Sequence, residues 1–221
     1  MRLAIAEHMQ RSVSTAPHVT AVFEVDFTAI MSDRALRKEE FKRRNAKLTY
    51  TAYFIAACVK AIQAVPTVNS RWHDDNLEIF ADINIGIGTA LGNKGLVVPV
   101  VHGAQDLSLL SIAERLTDIT ERARTKKLRP KDMQGGTFTI SNHGVSGSLL
   151  ATPIIINQPE SAILGVGKLE KRVKVLEVDG RDSISICPMA YVSLTLDHRV
   201  LDGHQSNAFL STWVDTIEGW T

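Results

Sequence analysis

The chain has 221 residues, 44% hydrophobic and 22% charged, enough to close a sizeable core without disulfides or metals. Twenty-five basic residues against 24 acidic leave a net charge of +1, so the charge balance gives no reason to expect a nucleic-acid partner. The longest helix-like apolar stretch, 53–65, is broken by Lys60 and falls short of a membrane span, and no signal peptide opens the chain.

Residues 2–13 read as a short helix with Leu3, Ile5, Ala6 and Met9 on one face. Val19, Ala21, Phe23, Val25 and Phe27 alternate with more polar neighbours, the mark of a half-buried strand. A charged helix over 29–45 and a much more apolar one over 51–64 follow, the latter ended by Pro66. Strands are expected near 77–80, 83–90 and 96–101, then an amphipathic helix over 108–125. A run of strands follows at 136–141, 161–167, 171–178, 183–187 and 189–196, with Asp179-Gly180 as a hairpin turn, and a last helix spans 203–218. Strands and helices do not alternate regularly, so the expected class is α+β with a large mixed sheet. No repeat or Pro/Gly/Ser linker appears, which argues for one domain over 1–221. Cys58 and Cys187 lie in apolar surroundings and read as buried thiols of a reducing compartment.

Four groups of residues could carry chemistry. Gly86, Gly88, Gly92 and Gly95 lack the third spacing of a dinucleotide fingerprint, and a strand follows where a helix is needed. Gly144-Val145-Ser146-Gly147-Ser148 resembles a nucleophile elbow but ends in Ser, and Pro153 leaves no room for the required helix. His73-Asp74-Asp75 and the pair His198 and His204 have no helical ligand spacing and no cysteine support, so no metal is expected. The fourth group is Asp197-His198-Arg199-Val200-Leu201-Asp202, which an apolar strand delivers just before a helix. Ionisable groups at the end of a buried strand are costly unless paired or used. The cluster is either a structural salt-bridge corner or a site in which His198 handles protons.

Asp197-His198-Arg199-x-x-Asp202-Gly203 resembles the D-H-R-x-x-D-G signature of the dihydrolipoyl acyltransferases, the core components of 2-oxoacid dehydrogenase complexes. Gly135-Gly136-Thr137-Phe138-Thr139-Ile140-Ser141-Asn142-x-Gly144 resembles a second signature of that family. Pro153 to Asn157 followed by Ala162 to Gly167, Asn84 to Ile87 with Gly95 to Val100, and the opening Arg2 to Met9 resemble three more blocks in the same order. The resemblance implies a chloramphenicol-acetyltransferase-like fold, a mixed sheet sandwiched by helices, in homotrimers with active sites at the subunit interfaces. It implies acyl transfer from a dihydrolipoyl thioester to coenzyme A as co-substrate. Matched residue by residue, His198 falls at the catalytic base, Ser141 at the oxyanion donor and Asp202 at a carboxylate that supports the site, braced through an arginine. Asp197 and Arg199 take structural roles. A thiol near pKa 8.5 and an imidazole near 6.5 suit proton transfer from coenzyme A to a neutral His198.

Neither a lipoyl domain nor a peripheral-subunit-binding domain is expected within 1–221. The lipoyl group would then come from a separate domain, and the dehydrogenase and dihydrolipoyl dehydrogenase components would dock through the missing domains. Few residues follow the last helix, so trimers are expected to assemble poorly, or not at all, into a larger shell, unless Ile217 and Trp220 serve as the anchor. The basic stretch 33–47, with Arg34, Arg37, Lys38, Lys42, Arg43, Arg44 and Lys47, reads as a solvated face or as docking for an acidic lipoyl domain or coenzyme A phosphates. Asn142 to Leu149 looks closer to succinyl-transferring relatives, with a place in the tricarboxylic acid cycle, than to acetyl or branched-chain ones. The competing readings are a non-catalytic scaffold subunit and a free-standing chloramphenicol-type acetyltransferase, in which a second histidine stands where Asp197 does. The expected compartment is the cytoplasm, or the mitochondrial matrix in a eukaryote.

Overall fold

A computed structural model describes residues 2–92 and 95–221. In chain order the elements are α1 (Arg2–Thr15), β1 (His18–Asp26), α2 (Thr28–Arg43), α3 (Tyr50–Ala64), β2 (Ser70–Trp72), β3 (Leu77–Ile79), β4 (Ile85–Ile87), β5 (Thr89–Ala90), β6 (Leu96–Val97) and β7 (Val100–Val101). They continue with α4 (Leu109–Arg124), β8 (Phe138–Asn142), β9 (Ala162–Val166), β10 (Glu170–Val178), β11 (Arg181–Asp197) and α5 (Gly203–Glu218). The main sheet runs β1-β11-β9-β8-β4-β7, with β10 also paired to β11. β8 lies parallel to β4 and β9 and the other pairings are antiparallel, so the class is the α+β, mixed-sheet one expected.

The two faces of this sheet differ because strand side chains alternate. Val192, Leu194 and Leu196 of β11, Ala162, Leu164 and Val166 of β9, and Phe138 and Ile140 of β8 are buried in one core with α2 to α5. α3 is buried almost all round, as its apolar sequence requires, while α4 buries only Ile112, Ala113, Leu116, Ile119 and Ala123. The opposite face carries Thr20, Thr195, Thr139, Ser193 and Ser141 in paired rows with Gly86 and Gly165. A smaller apolar cluster of Ala16, Ile156, Ile163 and Ile154 covers part of it. There α1 is tied to the segment 151–160 by the Ser12 hydroxyl, which donates to the Ile156 carbonyl at 2.7 Å.

Three expectations about the strands need correction. The strands expected at 183–187 and 189–196 are one 17-residue strand, β11, that runs through Pro188. Pro188 is tolerated because the β1 ladder begins only at Met189: the Pro188 carbonyl accepts from Phe27 N at 2.8 Å, while the Phe27 carbonyl accepts from Met31 N in α2 and asks nothing of the missing N–H. The strands expected at 83–90 and 96–101 are each divided in two: β4 and β7 belong to the main sheet, and β5 and β6 form a separate ribbon. Pro99, which has no N–H to give a ladder, sits at the break, and its carbonyl accepts from Ile87 N at 2.8 Å. β2, absent from the sequence reading, pairs with β3.

The Asp179-Gly180 turn takes left-handed φ at both positions, 51° and 74°, as a tight hairpin demands. Beyond Pro188 the β10–β11 hairpin leaves the sheet as a ribbon. On one face the cross-strand pairs Val173 with Ile186 and Val175 with Ile184 are 59–76% exposed. Leu3 and Ile5 of α1 are also exposed, so the apolar face expected on this helix is not buried within its own chain. No helix among the described residues is long and apolar enough to cross a membrane.

Candidate active site

β11 brings its buried end, Leu196 and Asp197, to the edge of the domain, and the chain turns there. Asp197 is 2% exposed and fully engaged: its carboxylate accepts from Arg199 N at 3.0 Å, Nε at 3.0 and 3.2 Å, and Nη2 at 2.6 Å. Its carbonyl accepts from Val200 and Leu201 N, which closes the turn. The Arg199 guanidinium lies over the Trp72 ring, 5.4 Å from its centroid. Such a bidentate, stacked pair is rigid, and the structural roles expected for Asp197 and Arg199 follow from it.

His198 stands on this corner with its N–H donating to the Pro17 carbonyl at 2.9 Å. Its side chain is exposed, and its ring makes no hydrogen bond to another described residue. Asp202 begins α5: its carboxylate accepts from Gln205 N at 2.9 Å, while the Gln205 side-chain oxygen accepts from Asp202 N at 3.2 Å. This reciprocal cap fixes the entry to the helix. The arginine expected to brace the site pairs with Asp197, and no described arginine forms an ion pair with Asp202.

Ser141 lies elsewhere. It is half-buried near the end of β8, on the hydroxyl-rich face, in one row with Gly165 and Ser193. His198 is five residues beyond Ser193 along β11 and two strands away. At about 3.3 Å per residue and 4.8 Å per strand, Ser141 and His198 of one chain are roughly 19 Å apart. One chain therefore brings His198 and Asp202 to the same corner and leaves Ser141 out of reach of both.

The loop after Ser141 is held by close backbone contact. A Cβ at Gly144 would come within 2.1 Å of the Gly167 carbonyl, so only glycine fits. Within this loop burial holds the His143 imidazole below its usual range. The segment His143–Ser146 is a single helical turn, so the Gly144 to Ser148 stretch has no elbow helix behind it. Gly86 lies inside β4 rather than at a strand end, Gly88 joins β4 to β5, and a strand, β6, follows Gly95 as read from the sequence. His73 is spent on Glu78, 3.0 Å away at the surface. Cys58 is buried, and desolvation pushes its thiol well above the ordinary range.

The sequence reading missed Glu160. It is 3% exposed, two residues before the start of β9, and burial pushes its carboxyl up to about 7 from an ordinary 4.5. One oxygen accepts from Asn157 Nδ2 at 2.9 Å, and the other has no partner. The available signal was an acidic residue directly ahead of a continuous apolar strand, which a buried strand does not tolerate without a use.

The family model "2-oxoacid dehydrogenases acyltransferase (catalytic domain)" matches residues 1–221. Among curated proteins, the dihydrolipoyllysine-residue succinyltransferase component of the 2-oxoglutarate dehydrogenase complex of Rickettsia typhi is 39% identical over 99% of the chain and 54% of its own length. The mitochondrial succinyltransferase component of Saccharomyces cerevisiae is 42% identical over 99% of the chain and 46% of its length. An acetyltransferase component of the pyruvate dehydrogenase complex of Corynebacterium glutamicum is 38% identical over 94% of the chain and 31% of its length. The chain thus spans about half the length, or less, of the curated relatives it matches. Among solved structures, a dihydrolipoamide acetyltransferase of Azotobacter vinelandii, studied for the catalytic roles of a serine, a histidine and an asparagine four positions after it, superposes with a TM-score of 0.90. It is 30% identical, and the match covers 98% of this chain and 88% of that one. The cubic core of a pyruvate dehydrogenase complex gives 0.90 at 32% identity, with the same coverage. A chloramphenicol acetyltransferase at 14% identity and TM-score 0.60, covering 96% of this chain and 94% of that one, shares the fold.

Proposed function

The chain belongs to the acyltransferase catalytic-domain family of the 2-oxoacid dehydrogenases, and on that premise we propose that it moves an acyl group from S-acyl-dihydrolipoyl-lysine to coenzyme A. The observation that carries this reading is the corner at 197–202. A buried, fully paired Asp197 and a capped helix hold one exposed imidazole on rigid backbone. A preorganised, solvent-facing base is what a thiol substrate needs.

His198 takes the proton of the coenzyme A thiol. The thiolate attacks the thioester carbonyl, and the carbonyl π pair moves to oxygen. The Ser141 hydroxyl donates to that oxyanion, an interaction worth roughly 3–4 kcal/mol. Collapse expels the dihydrolipoyl thiolate, which takes its proton from the His198 imidazolium. No covalent enzyme intermediate and no metal is required. Asp202, four positions after His198 like the asparagine of the Azotobacter relative, braces the corner through its cap on α5.

The separation of roughly 19 Å between Ser141 and His198 in one chain supports a site built by two chains, His198 from one and Ser141 from its neighbour. We assign a homotrimer as the working assembly. The exposed Val173, Val175, Ile184 and Ile186 ribbon and the open apolar side of α1 support packing between copies. The alternative anchor, Ile217 and Trp220, is committed to its own chain: Ile217 is fully buried, and Trp220 packs edge-on against Tyr53 at 4.9 Å. Residues 1–221 act as one catalytic domain. The lipoyl group is presented from outside these residues, and the dehydrogenase and dihydrolipoyl dehydrogenase components are the partners. The acyl group is succinyl, in keeping with the Rickettsia and Saccharomyces relatives. The compartment is the cytoplasm, or the mitochondrial matrix in a eukaryote.

The test is acyl transfer from acetyl-, succinyl-, isobutyryl- and isovaleryl-coenzyme A to dihydrolipoamide. Succinyl transfer that falls at least ~100-fold in His198→Ala supports the reading. A folded assembly that transfers none of the four groups moves the scaffold reading to the front.

A further inference from the structure

The ribbon of β2 and β3 stands apart from the main sheet, and among the described residues none of its side chains belongs to the main apolar core. A two-stranded ribbon with three residues a side is not stable by itself. What holds it is the corner that carries His198. The Ser161 hydroxyl donates to the Ser70 carbonyl at 2.8 Å, and the Ser161 carbonyl accepts from Asp197 N at 2.9 Å, with both serines fully buried. Just ahead of β2, the Thr67 hydroxyl accepts from Gln205 Nε2 at 3.2 Å, and Gln205 is the cap partner of Asp202. At the end of β2 the Trp72 ring lies under the Arg199 guanidinium.

Of these links, the aromatic one acts on the pair that frames the base. Trp72 leaves 38% of its surface in water, yet its ring covers Arg199. The Arg199 side chain is 29% exposed and its partner carboxylate 2% exposed, so water can reach this pair only from the arginine side. A guanidinium stacks through its flat face and bonds through its edge, so one group serves Trp72 and Asp197 at once. Asp74, in the turn between β2 and β3, adds to the hold. The bonds to Asp197 foremost, with the charges of Asp197 and Asp74, keep the guanidinium above its ordinary range. His198 is the residue between Asp197 and Arg199, so the pair closes over its backbone from both sides.

We infer that Trp72 is a positioning residue for acyl transfer: its ring holds Arg199 on Asp197 and thereby fixes the backbone from which the His198 imidazole projects. Trp72 itself touches neither thiol substrate. The inference rests on the acyl-transfer reading above. A general base works only within hydrogen-bond reach of the proton it takes, and a misplacement of about 1 Å costs on the order of 100-fold. An exposed imidazole has no packing of its own to keep it there, so its place depends on the backbone beneath it.

The test uses Trp72→Phe, Trp72→Leu, Arg199→Lys and the double variant Trp72→Leu with Arg199→Lys in the full chain, each checked by circular dichroism and oligomeric mass. Trp72→Leu lowers kcat about tenfold, with KM for acyl-coenzyme A and for dihydrolipoamide within about twofold of wild type. Trp72→Phe keeps an aromatic face and stays within about threefold of wild-type kcat. The double variant falls no further than Arg199→Lys alone, because the ring acts through the guanidinium. A rise in either KM with kcat kept overturns the inference, since the ring then meets a substrate. Equal losses in Trp72→Phe and Trp72→Leu overturn it, since bulk and not the aromatic face is then what matters. Losses that multiply in the double variant overturn the route through Arg199. Wild-type kcat in Trp72→Leu with lower stability in urea overturns it as well, because Trp72 then supports the fold alone. If Trp72→Leu changes the oligomeric mass, Trp72→Gln takes its place with the same expected values. A change of mass in both makes the ribbon an assembly contact and overturns the inference. A wild-type chain that transfers no acyl group overturns the acyl-transfer reading first, and the role of Trp72 with it.

Discussion

Glu160→Gln should make the chain more stable at pH 8 than wild type while changing little at pH 4.5. In the folded chain this carboxyl is 3% exposed and pushed up to about 7, against an ordinary value of 4.5. Between those two values the unfolded chain has released the proton and the native chain still holds it. Unfolding therefore releases a proton, and raising the pH favours the unfolded state. The stabilising contribution of protonated Glu160 is complete below pH 4.5, declines between about pH 4.5 and 7, and is gone above. At about 1.4 kcal/mol per pH unit, the loss amounts to about 3 kcal/mol. Glutamine keeps the bond from Asn157 and has nothing to ionise. Urea denaturation at fixed protein concentration, at half-unit steps from pH 4.5 to 8.5, gives the difference between variant and wild type. Groups that titrate alike in both proteins cancel in it. The difference should grow by about 3 kcal/mol across the range and flatten above pH 7. A difference independent of pH would refute the reasoning, because the buried carboxyl would then ionise at its ordinary value.

Ser141→Ala should lower kcat by roughly 10²–10³-fold with KM nearly unchanged, since the hydroxyl acts on the oxyanion alone. If one site draws His198 and Ser141 from two chains, refolding an equal mixture of His198→Ala and Ser141→Ala should restore about a quarter of wild-type activity, the statistical fraction of intact pairs. A mixture no more active than its components would mean that one chain supplies both groups. Ile184→Asp, on the exposed ribbon face, should lower the light-scattering mass from three times the 24.3 kDa chain toward a single chain, while the far-ultraviolet spectrum stays native. Asp197→Ala leaves Arg199 without its partner at a buried corner and should cost about 3 kcal/mol in urea denaturation, with His198-dependent activity lost alongside. The buried Cys58 thiol should react with a thiol reagent at pH 8 only at the rate of unfolding.

The apolar periodicities of 51–64 and 108–125, the alternation at 19–27 and the Asp179-Gly180 turn are local signals, and the elements they specify lie where the pattern puts them. The ordered motif blocks specify the family in the same way, since residue identities at fixed spacing need no coordinates. The charged corner at 197–202 was legible as one possible salt-bridge corner, but its pairing was not: an arginine was expected at Asp202, and Arg199 pairs with Asp197. What the sequence could not convey is distance between segments. Pro188 reads as a strand boundary until β1 is seen to join β11 only at the next residue. That Ser141 and His198 fall in one site at a subunit interface came from the family resemblance alone; only the sheet register sets them roughly 19 Å apart within a chain. Val173, Val175, Ile184 and Ile186 read as ordinary strand residues, and only the tertiary structure leaves that face bare. Glu160 reads as one acid among 24 acidic residues; it becomes a buried carboxyl only when the strands and loops around it remove the water that would have solvated it. Local order follows from neighbours in the chain, whereas burial, and with it the energy of every polar group, depends on which distant segments fold over it.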